Sequence, residues 1–240
     1  MKQIDGNNNH GAAEVPGLSA ANGKRVYFVR HGMTEWNKLM RYQGSTDIPL
    51  SDRGRDQARR AGLRLRSLSG RASKIICSPL ARARETAEII AKELGVTQIE
   101  AWDELREVGF GSWEGLTVPQ IIKKDGEDFF NKWRNDQLSY APEDGEPCRS
   151  YFLRAEAAAD KLLTKSEDCD IVVGHGAFFR VLLIPLLSQP KSSIFWRARL
   201  DNCSISAVDI DNKGRASVAF LNDALHIDAD ISEIGDIPLQ

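Results

Sequence analysis

The sequence predicts an α/β fold: a three-layer sandwich with a mostly parallel central sheet flanked by helices, plus a cap-like insertion. Short apolar, β-branched runs alternate along the 240 residues with segments whose apolar residues recur at spacings of three and four, which is typical of βαβ units. Two of these runs end in the same way, in His31-Gly32 and in His175-Gly176. Because ligands of open α/β sheets bind beyond the carboxyl ends of the strands, this repeated ending indicates a site at one sheet edge.

The first half of the chain predicts three strands and two helices. The strands are expected at Arg25–Val29, Lys74–Cys77 and Gln98–Ala101. The helix after the first strand begins near Ser51, a residue type that favours the N-cap position. The next helix begins at Ser78-Pro79, with proline in its first turn, and ends at Gly95.

From Trp102 to about Arg149 the periodicity weakens, yet the stretch is too long to be structureless inside a compact domain. Short helices at Val118–Lys124 and Asp128–Gln137 would form a cap-like insertion, spanning about residues 117–149, over the sheet edge. We expect this segment to set the substrate. Its basic residues are expected on a solvated face: Lys123, Lys124, Lys132, Arg134 and Arg149.

The remaining elements complete a single domain over residues 24–227. They are a helix at Arg149–Leu163, a strand at Asp170–Val173, a helix at Ala177–Leu187 and a hairpin of Ser204–Val208 with Ala216–Leu221. Residues 1–23 are expected to be a mobile polar extension, and residues 228–240 an acidic tail.

Composition narrows the functional classes. A net charge of −2 gives no strong field for nucleic acid or a membrane surface, and no apolar run reaches the roughly 20 residues that span a bilayer. The four cysteines, Cys77, Cys148, Cys169 and Cys203, lack zinc or redox spacing. We therefore expect a cytoplasmic protein with reduced thiols, with a secreted protein containing two disulfides as the alternative.

Arg30 beside His31 indicates chemistry on a phosphate. A neutral imidazole can attack phosphorus and form a covalent intermediate, and an arginine can hold phosphoryl oxygens with its fork of donors. Taken alone, the two histidines also fit another interpretation, in which they are unrelated structural residues with satisfied hydrogen bonds.

Several ordered blocks extend this pattern. The first block runs from Val29 through Arg30-His31-Gly32 to Asn37, and the later blocks are Tyr42-Gln43-Gly44, Asp47–Ser51, Ser78–Ala87, Leu105–Gly115, Val173–Gly176 and Asp201–Ile205. Together they resemble the histidine phosphatase superfamily, the phosphoglycerate-mutase-like proteins, over roughly residues 24–227.

The resemblance implies a role for each matching position. His31 would be the nucleophile, with Arg30, Arg82 and His175 completing the phosphate pocket. Glu107 would be the general acid and later the base, with Glu104 and Glu114 as alternatives. The implied substrate-binding residues are Asn37, Gln43, Gly44 and Gly176. No metal and no cofactor are implied.

Each role also has a plainer alternative. Arg82 could be a helix-surface cation like Arg84, Asn37 could cap a turn, and Glu107 could be a solvated loop acid.

The sequence also departs from the family pattern. Met33 replaces the usual Glu or Gln, and Gly145-Glu146-Pro147-Cys148 replaces Gly-Glu-Ser. Within the block Leu105–Gly115, five residues read Glu107-Val108-Gly109-Phe110-Gly111, whereas mutases have Glu-Arg-His-Tyr-Gly at these positions. Losing those cations favours the phosphatase branch, which includes α-ribazole phosphatases and broad-specificity phosphatases.

The resulting prediction is a metal-independent phosphomonoesterase that acts on a small phosphorylated metabolite through a phosphohistidine on His31. Three alternatives remain at this point. They are a cofactor-dependent phosphoglycerate mutase, a catalytically weak phosphate-binding protein on the same fold, and a metalloprotein that uses His31 and His175 as ligands.

Overall fold

A mixed β-sheet forms the centre of the computed structural model, which describes residues 23–69, 72–164, 169–190 and 198–227. Its strands are β1 (Gly23–Arg30), β2 (Lys74–Cys77), β3 (Ile99–Ala101), β4 (Cys169–Gly174), β5 (Ile205–Asp211) and β6 (Ala216–Asp223). They lie in the order β3-β2-β4-β1-β5-β6. The first four in this order are parallel, and β5 and β6 pair antiparallel. The predicted mostly parallel sheet is confirmed.

Helices cover both faces of this sheet. They are α1 (Glu35–Lys38), α2 (Asp52–Ser69), α3 (Ala81–Leu94), α4 (Val118–Asp125), α5 (Glu127–Asn135), α6 (Cys148–Thr164) and α7 (Gly176–Leu186). Successive strand residues point to opposite faces, so Tyr27 and Val29 pack with α2 and α3 while Val26 and Phe28 pack with α6 and α7. Burial on both faces explains why the strands are continuous apolar runs, and it confirms the three-layer arrangement.

The predicted start of the helix at Ser78-Pro79 is wrong. Helix α3 begins at Ala81, and Leu80 before it is extended, with φ −65° and ψ 136°. Pro79 therefore precedes the helix instead of lying in its first turn. Asp47 accepts a hydrogen bond from the Ala81 backbone N–H at 2.7 Å, so the helix start is capped from a distant loop. Its end at Gly95, with φ 71°, agrees with the prediction.

The segment that follows β3 packs into the core through aromatic rings. Trp113 is fully buried, and its ring centroid lies 4.9 Å from that of Trp133 on α5 in an edge-to-face contact. Tyr42 and Phe110 join the same group, with centroids 5.0 Å apart. Edge-to-face contacts of this kind hold α5 against the remainder of the domain.

Several predictions concern residues outside this description. The polar extension and the acidic tail fall there apart from Gly23, so they stay predictions. Cys77, Cys148 and Cys203 are not part of a disulfide. Among the helices of the described ranges, none combines the length and the apolar character needed to cross a bilayer.

The loop after β1 rests directly on the first turn of α2. A Cβ added at Gly54 would lie 2.1 Å from the Met33 carbonyl oxygen, and one added at Gly32 would lie 2.4 Å from the Gly54 oxygen. Both positions therefore need glycine because backbone meets backbone there.

Gly54→Ala should consequently push the His31-bearing loop away from α2. We expect the free energy of unfolding to fall by about 1–3 kcal/mol, as is usual for overpacking, together with a decrease in the phosphatase activity that the sequence predicts. Urea denaturation and kcat/KM measure the two effects. Arg59→Ala, on an exposed side of the same helix, is the control and should change neither. Wild-type values for Gly54→Ala would contradict this interpretation.

Candidate active site

The carboxyl ends of β1, β4 and β2 bring the candidate residues together. His31 follows β1 and His175 follows β4, and these neighbouring strands pair with Arg30 opposite Gly174. The two imidazole centroids are 5.2 Å apart, with their planes inclined at 58°. The predicted proximity of the two histidines is therefore confirmed.

A pocket of about 410 Å³ opens at this edge. Seven of the predicted site residues line it: Arg30, His31, Gln43, Gly44, Arg82, Glu107 and Gly176. Tyr42, Phe110 and Ala177 complete the wall. His175 is fully buried, and it adjoins the pocket through its neighbours Gly176 and Ala177.

The ring of His31 has a fixed orientation. Its Nδ1 lies 2.7 Å from the Gly32 carbonyl oxygen, so this nitrogen donates its proton to the backbone. The lone pair is then left on Nε2, the nitrogen available as a nucleophile. Burial, and then the charges of Arg82 and Arg30, hold the pKa of His31 well below its usual value, so the ring is neutral.

His175 is held from the opposite direction. Its Nε2 lies 2.8 Å from the hydroxyl of Ser78, which follows β2. The Ser78 oxygen accepts from the Leu80 backbone N–H at 3.3 Å, so its own proton is free to face His175. Burial, followed by the charge of Arg82, lowers the pKa of His175 well below its usual value. In the resting state the ring is therefore neutral, and if Ser78 donates to Nε2, the ring proton is on Nδ1.

Arg82 lies in the interior and not on the helix surface. Its guanidinium donates to the carbonyl oxygens of Thr46 at 2.8 Å and Gly44 at 2.7 Å. Burial lowers its pKa to about 10, which leaves it charged at neutral pH. Arg84, two residues further along α3, is exposed, so the plainer alternative suggested for Arg82 is wrong.

Buried donors converge on this region without acceptors. Within the described residues, Arg30 Nε, Arg82 Nε and His175 Nδ1 are buried and have no hydrogen-bond partner. An unsatisfied buried donor costs free energy, and a charged one costs more. The arrangement is therefore suited to an anion that supplies several acceptor oxygens.

Glu107 is the carboxylate of this pocket. Its oxygens accept from the backbone N–H groups of Phe178 at 2.8 Å and Ala177 at 3.2 Å, at the amino end of α7. The alternatives lie elsewhere. Glu104 pairs with Lys161 at 2.5 Å, and Glu114 binds backbone amides in the loop that contains Ser45. Glu107 therefore faces the anion site, although its role stays a prediction.

Like His175, Asn37 is a predicted site residue that does not line the pocket. Its side-chain oxygen accepts from the Thr34 backbone N–H at 3.0 Å and caps α1. The same oxygen accepts from Asn202 at 3.3 Å. The turn-capping alternative is thus what the geometry shows for Asn37.

Three supporting residues were not singled out from the sequence. Besides Ser78, Thr86 accepts from the Gly32 backbone N–H at 3.0 Å, and Asn202 donates to the His31 carbonyl oxygen at 2.9 Å. All three lie within the family-like blocks, so those blocks were the available signal. Their pairing with the histidine loops depends on tertiary contacts.

The predicted cap contributes less to the site than expected. Neither α4 nor α5 supplies a lining residue, and from residues 117–149 only Asp144, Gly145 and Glu146 border an adjoining outer cavity. The five basic residues of the segment are exposed, as expected. Over the described ranges no three His, Cys, Asp or Glu side chains are grouped as metal ligands would be.

Paired imidazoles flanked by buried guanidiniums at a sheet edge define a class of enzymes that act on phosphoryl groups. The comparison with protein families agrees. The model described as "Histidine phosphatase superfamily (branch 1)" matches residues 26–223, and the chain belongs to this superfamily as a phosphatase.

Known proteins resemble the chain over most of its length. A probable phosphoglycerate mutase from Salmonella arizonae is 34% identical, over 85% of this chain and 95% of the relative. An adenosylcobalamin/alpha-ribazole phosphatase from Salmonella typhimurium is 32% identical, over 82% and 96%. The solved structure of a putative alpha-ribazole-5'-P phosphatase from Escherichia coli superposes with a TM-score of 0.74 at 29% identity, covering 84% of this chain and 97% of that one.

Stability should fall in mild acid because both histidines are buried in the neutral form. The unfolded chain binds their protons below about pH 6.5, whereas the folded chain does not, so the unfolded state gains as the pH falls. Each histidine can remove up to about 1.4 kcal/mol per pH unit. Urea unfolding at pH 7.5, 6.5 and 5.5 should show that the free energy of unfolding falls less steeply with decreasing pH in His175→Gln than in the wild type. Identical slopes would contradict the neutral state of His175.

Ser78→Ala tests how His175 is positioned. Loss of the hydroxyl leaves Nε2 unpaired and the ring free to change tautomer, so phosphate affinity and kcat/KM should fall about tenfold, equivalent to about 1.4 kcal/mol. Phosphate titration and p-nitrophenyl phosphate turnover measure these quantities. Ser112→Ala, which removes a hydroxyl that binds Lys124, is the control. An unchanged kcat/KM in Ser78→Ala would rule out this positioning role.

Proposed function

We propose that the protein is a metal-independent phosphomonoesterase that hydrolyses a small phosphate ester through a phosphohistidine on His31. The observation that carries the proposal is the set of buried, unpartnered donors around a neutral imidazole whose Nε2 is free. Phosphoryl transfer requires mainly positioning and charge stabilisation, and this set of groups provides both.

In the first step the phosphate group occupies the position where Arg30, Arg82 and His175 can donate to its oxygens. An anion beside His175 favours the protonated imidazole, which would add a third positive charge. Nε2 of His31 attacks phosphorus, and the bond from phosphorus to the alcohol oxygen breaks. The Glu107 carboxyl group gives its proton to that oxygen, so the alcohol leaves uncharged.

In the second step water attacks the phosphohistidine. Glu107, now a carboxylate, takes a proton from the water as its oxygen bonds to phosphorus. The bond between phosphorus and Nε2 breaks, which releases inorganic phosphate and restores neutral His31. The N–H groups of Ala177 and Phe178 stabilise the Glu107 carboxylate between the two steps.

The sequence of the block Leu105–Gly115 favours hydrolysis over mutase activity. The positions where mutases have Arg, His and Tyr are here occupied by Val108, Gly109 and Phe110, of which Val108 and Phe110 are 4% and 7% exposed and belong to the apolar core. No cation at these positions would retain a bisphosphate, so water would intercept the phosphoenzyme. Cys77, Cys148 and Cys203 are not joined in disulfides, which supports a reducing compartment, and we place the activity in the cytoplasm.

Catalysis should depend on His31 and Glu107. His31→Ala should abolish phosphate release, and Glu107→Gln should reduce kcat by about 10²–10⁴, the usual contribution of a general acid. The assays are p-nitrophenyl phosphate turnover with and without a strong chelator, and trapping of an acid-labile phosphoenzyme. Arg82→Ala should be severely impaired, whereas Arg84→Ala, on the exposed side of α3, should resemble the wild type.

Two results would contradict the proposal. One is undiminished turnover in His31→Ala. The other is conversion of 3-phosphoglycerate to its isomer, with a bisphosphate primer and without release of inorganic phosphate, which would identify a mutase.

A further inference from the structure

A second cavity, of about 700 Å³, adjoins the phosphate pocket. Glu107 lines both. If Glu107 protonates the leaving oxygen, as proposed above, the alcohol part of the substrate must extend from the inner pocket into this outer cavity. The chemistry of its walls therefore reports on the alcohol that the enzyme accepts.

The charges on these walls are predominantly negative. Besides Glu107, three carboxylates border the cavity, on Glu114, Asp144 and Glu146, against the two guanidiniums of Arg106 and Arg154. The phosphate pocket has the opposite character, because its guanidiniums face an anion. The site thus changes from cationic to anionic along the direction in which the substrate would lie.

Arg154 is not available to a ligand, and its ion pair with Glu146 removes both charges from the balance, which leaves Glu107, Glu114 and Asp144 against Arg106. Its Nε and one Nη2 proton bind the Glu146 carboxylate at 2.9 and 2.7 Å. Its Nη1 donates to the carbonyl oxygens of Glu104 and Arg106 at 2.8 and 2.9 Å, and Nη2 also donates to that of Glu107 at 3.4 Å. An arginine has five N–H donors, and all five are engaged here.

Arg106 leaves the balance unchanged. Its side chain is 44% exposed and lies 3.9 Å from the Asp103 carboxylate. Asp103 therefore offsets part of the Arg106 charge, and the carboxylates of Glu107, Glu114 and Asp144 outnumber this one cation on the walls.

An independent observation comes from the inner pocket. Gln43 is 8% exposed and lines the pocket, and its side-chain oxygen is buried without a partner among the described residues. This oxygen requires a donor. In this orientation of the amide, a hydroxyl or N–H group close to the ester oxygen would satisfy it.

We propose that the substrate's alcohol moiety is uncharged and bears hydroxyl or N–H donors, as in the phosphates of sugars, polyols or nucleosides. Alcohols that carry a carboxylate or a second phosphate are disfavoured. The inference rests on the proposed phosphomonoesterase function, since it assigns the alcohol to the outer cavity. Acceptors line the path of the alcohol, while donors surround the phosphate.

Glycerol 3-phosphate and 3-phosphoglycerate form a matched pair for the test, because they differ in a hydroxymethyl group against a carboxylate. Each is measured as a substrate and as a competitor of p-nitrophenyl phosphate, so that a ligand that is not hydrolysed still gives an inhibition constant. We expect kcat/KM, or the affinity as a competitor, to be about tenfold higher for glycerol 3-phosphate than for 3-phosphoglycerate, equivalent to about 1.4 kcal/mol. This preference should be smaller at high salt.

A charge variant refines the test. Asp144→Asn should reduce the preference for glycerol 3-phosphate over 3-phosphoglycerate, because Asp144 is exposed at the cavity wall and its loss of charge should raise kcat/KM for 3-phosphoglycerate. Asp128→Asn, an exposed carboxylate of α5 outside both cavities, is the control and should leave the ratio unchanged.

Equal preference, or preference for 3-phosphoglycerate, overturns this inference. An enzyme with that preference that still hydrolyses p-nitrophenyl phosphate in a His31-dependent way would leave the proposed function intact. Loss of the His31 dependence would refute the proposed function instead. The two failures are therefore distinguishable.

Discussion

The parallel pairing of β1 with β4 is the constraint on which the site depends. It aligns Arg30 with Gly174, so the residues that follow the two strands leave the sheet side by side. His31 and His175 are thereby brought within 5.2 Å, although 144 positions separate them in the chain. A shift of this register by one residue would turn the side chains of one strand to the opposite face and separate the two rings.

Around this pair the protein concentrates positive charge away from water. Arg82 is held by carbonyl oxygens, which orient it without neutralising it. Both histidines remain neutral because burial and the nearby guanidiniums disfavour a further proton. These concentrated charges are therefore an electrostatically unfavourable arrangement that an incoming phosphate dianion relieves, and binding and catalysis draw on the same interactions.

Local sequence patterns were sufficient to predict the sheet and most helices, which follow from the periodicity of apolar residues. They also pointed to Arg30, His31 and His175, because these residues lie where apolar strands end. Arg82 and Glu107 required the family resemblance, since nothing local distinguishes them from surface charges. The supporting hydrogen bonds could not be found in this way. The bond between Ser78 and His175 joins residues 97 positions apart, and that between Asn202 and His31 joins residues 171 apart. The start of α3 was misplaced for the same reason, because its cap is Asp47.

The aromatic group behind the pocket has a consequence for how the enzyme can diversify. Tyr42 and Phe110 face the ligand space and also pack against Trp113 and Trp133 in the domain interior. Exchanging either ring would disturb the folded core, so mutational drift at these two positions is tightly restricted. Asp144, in contrast, borders the outer cavity without being part of the buried core. New specificities within this lineage should therefore arise by substitutions along the rim, while the inner wall stays nearly invariant.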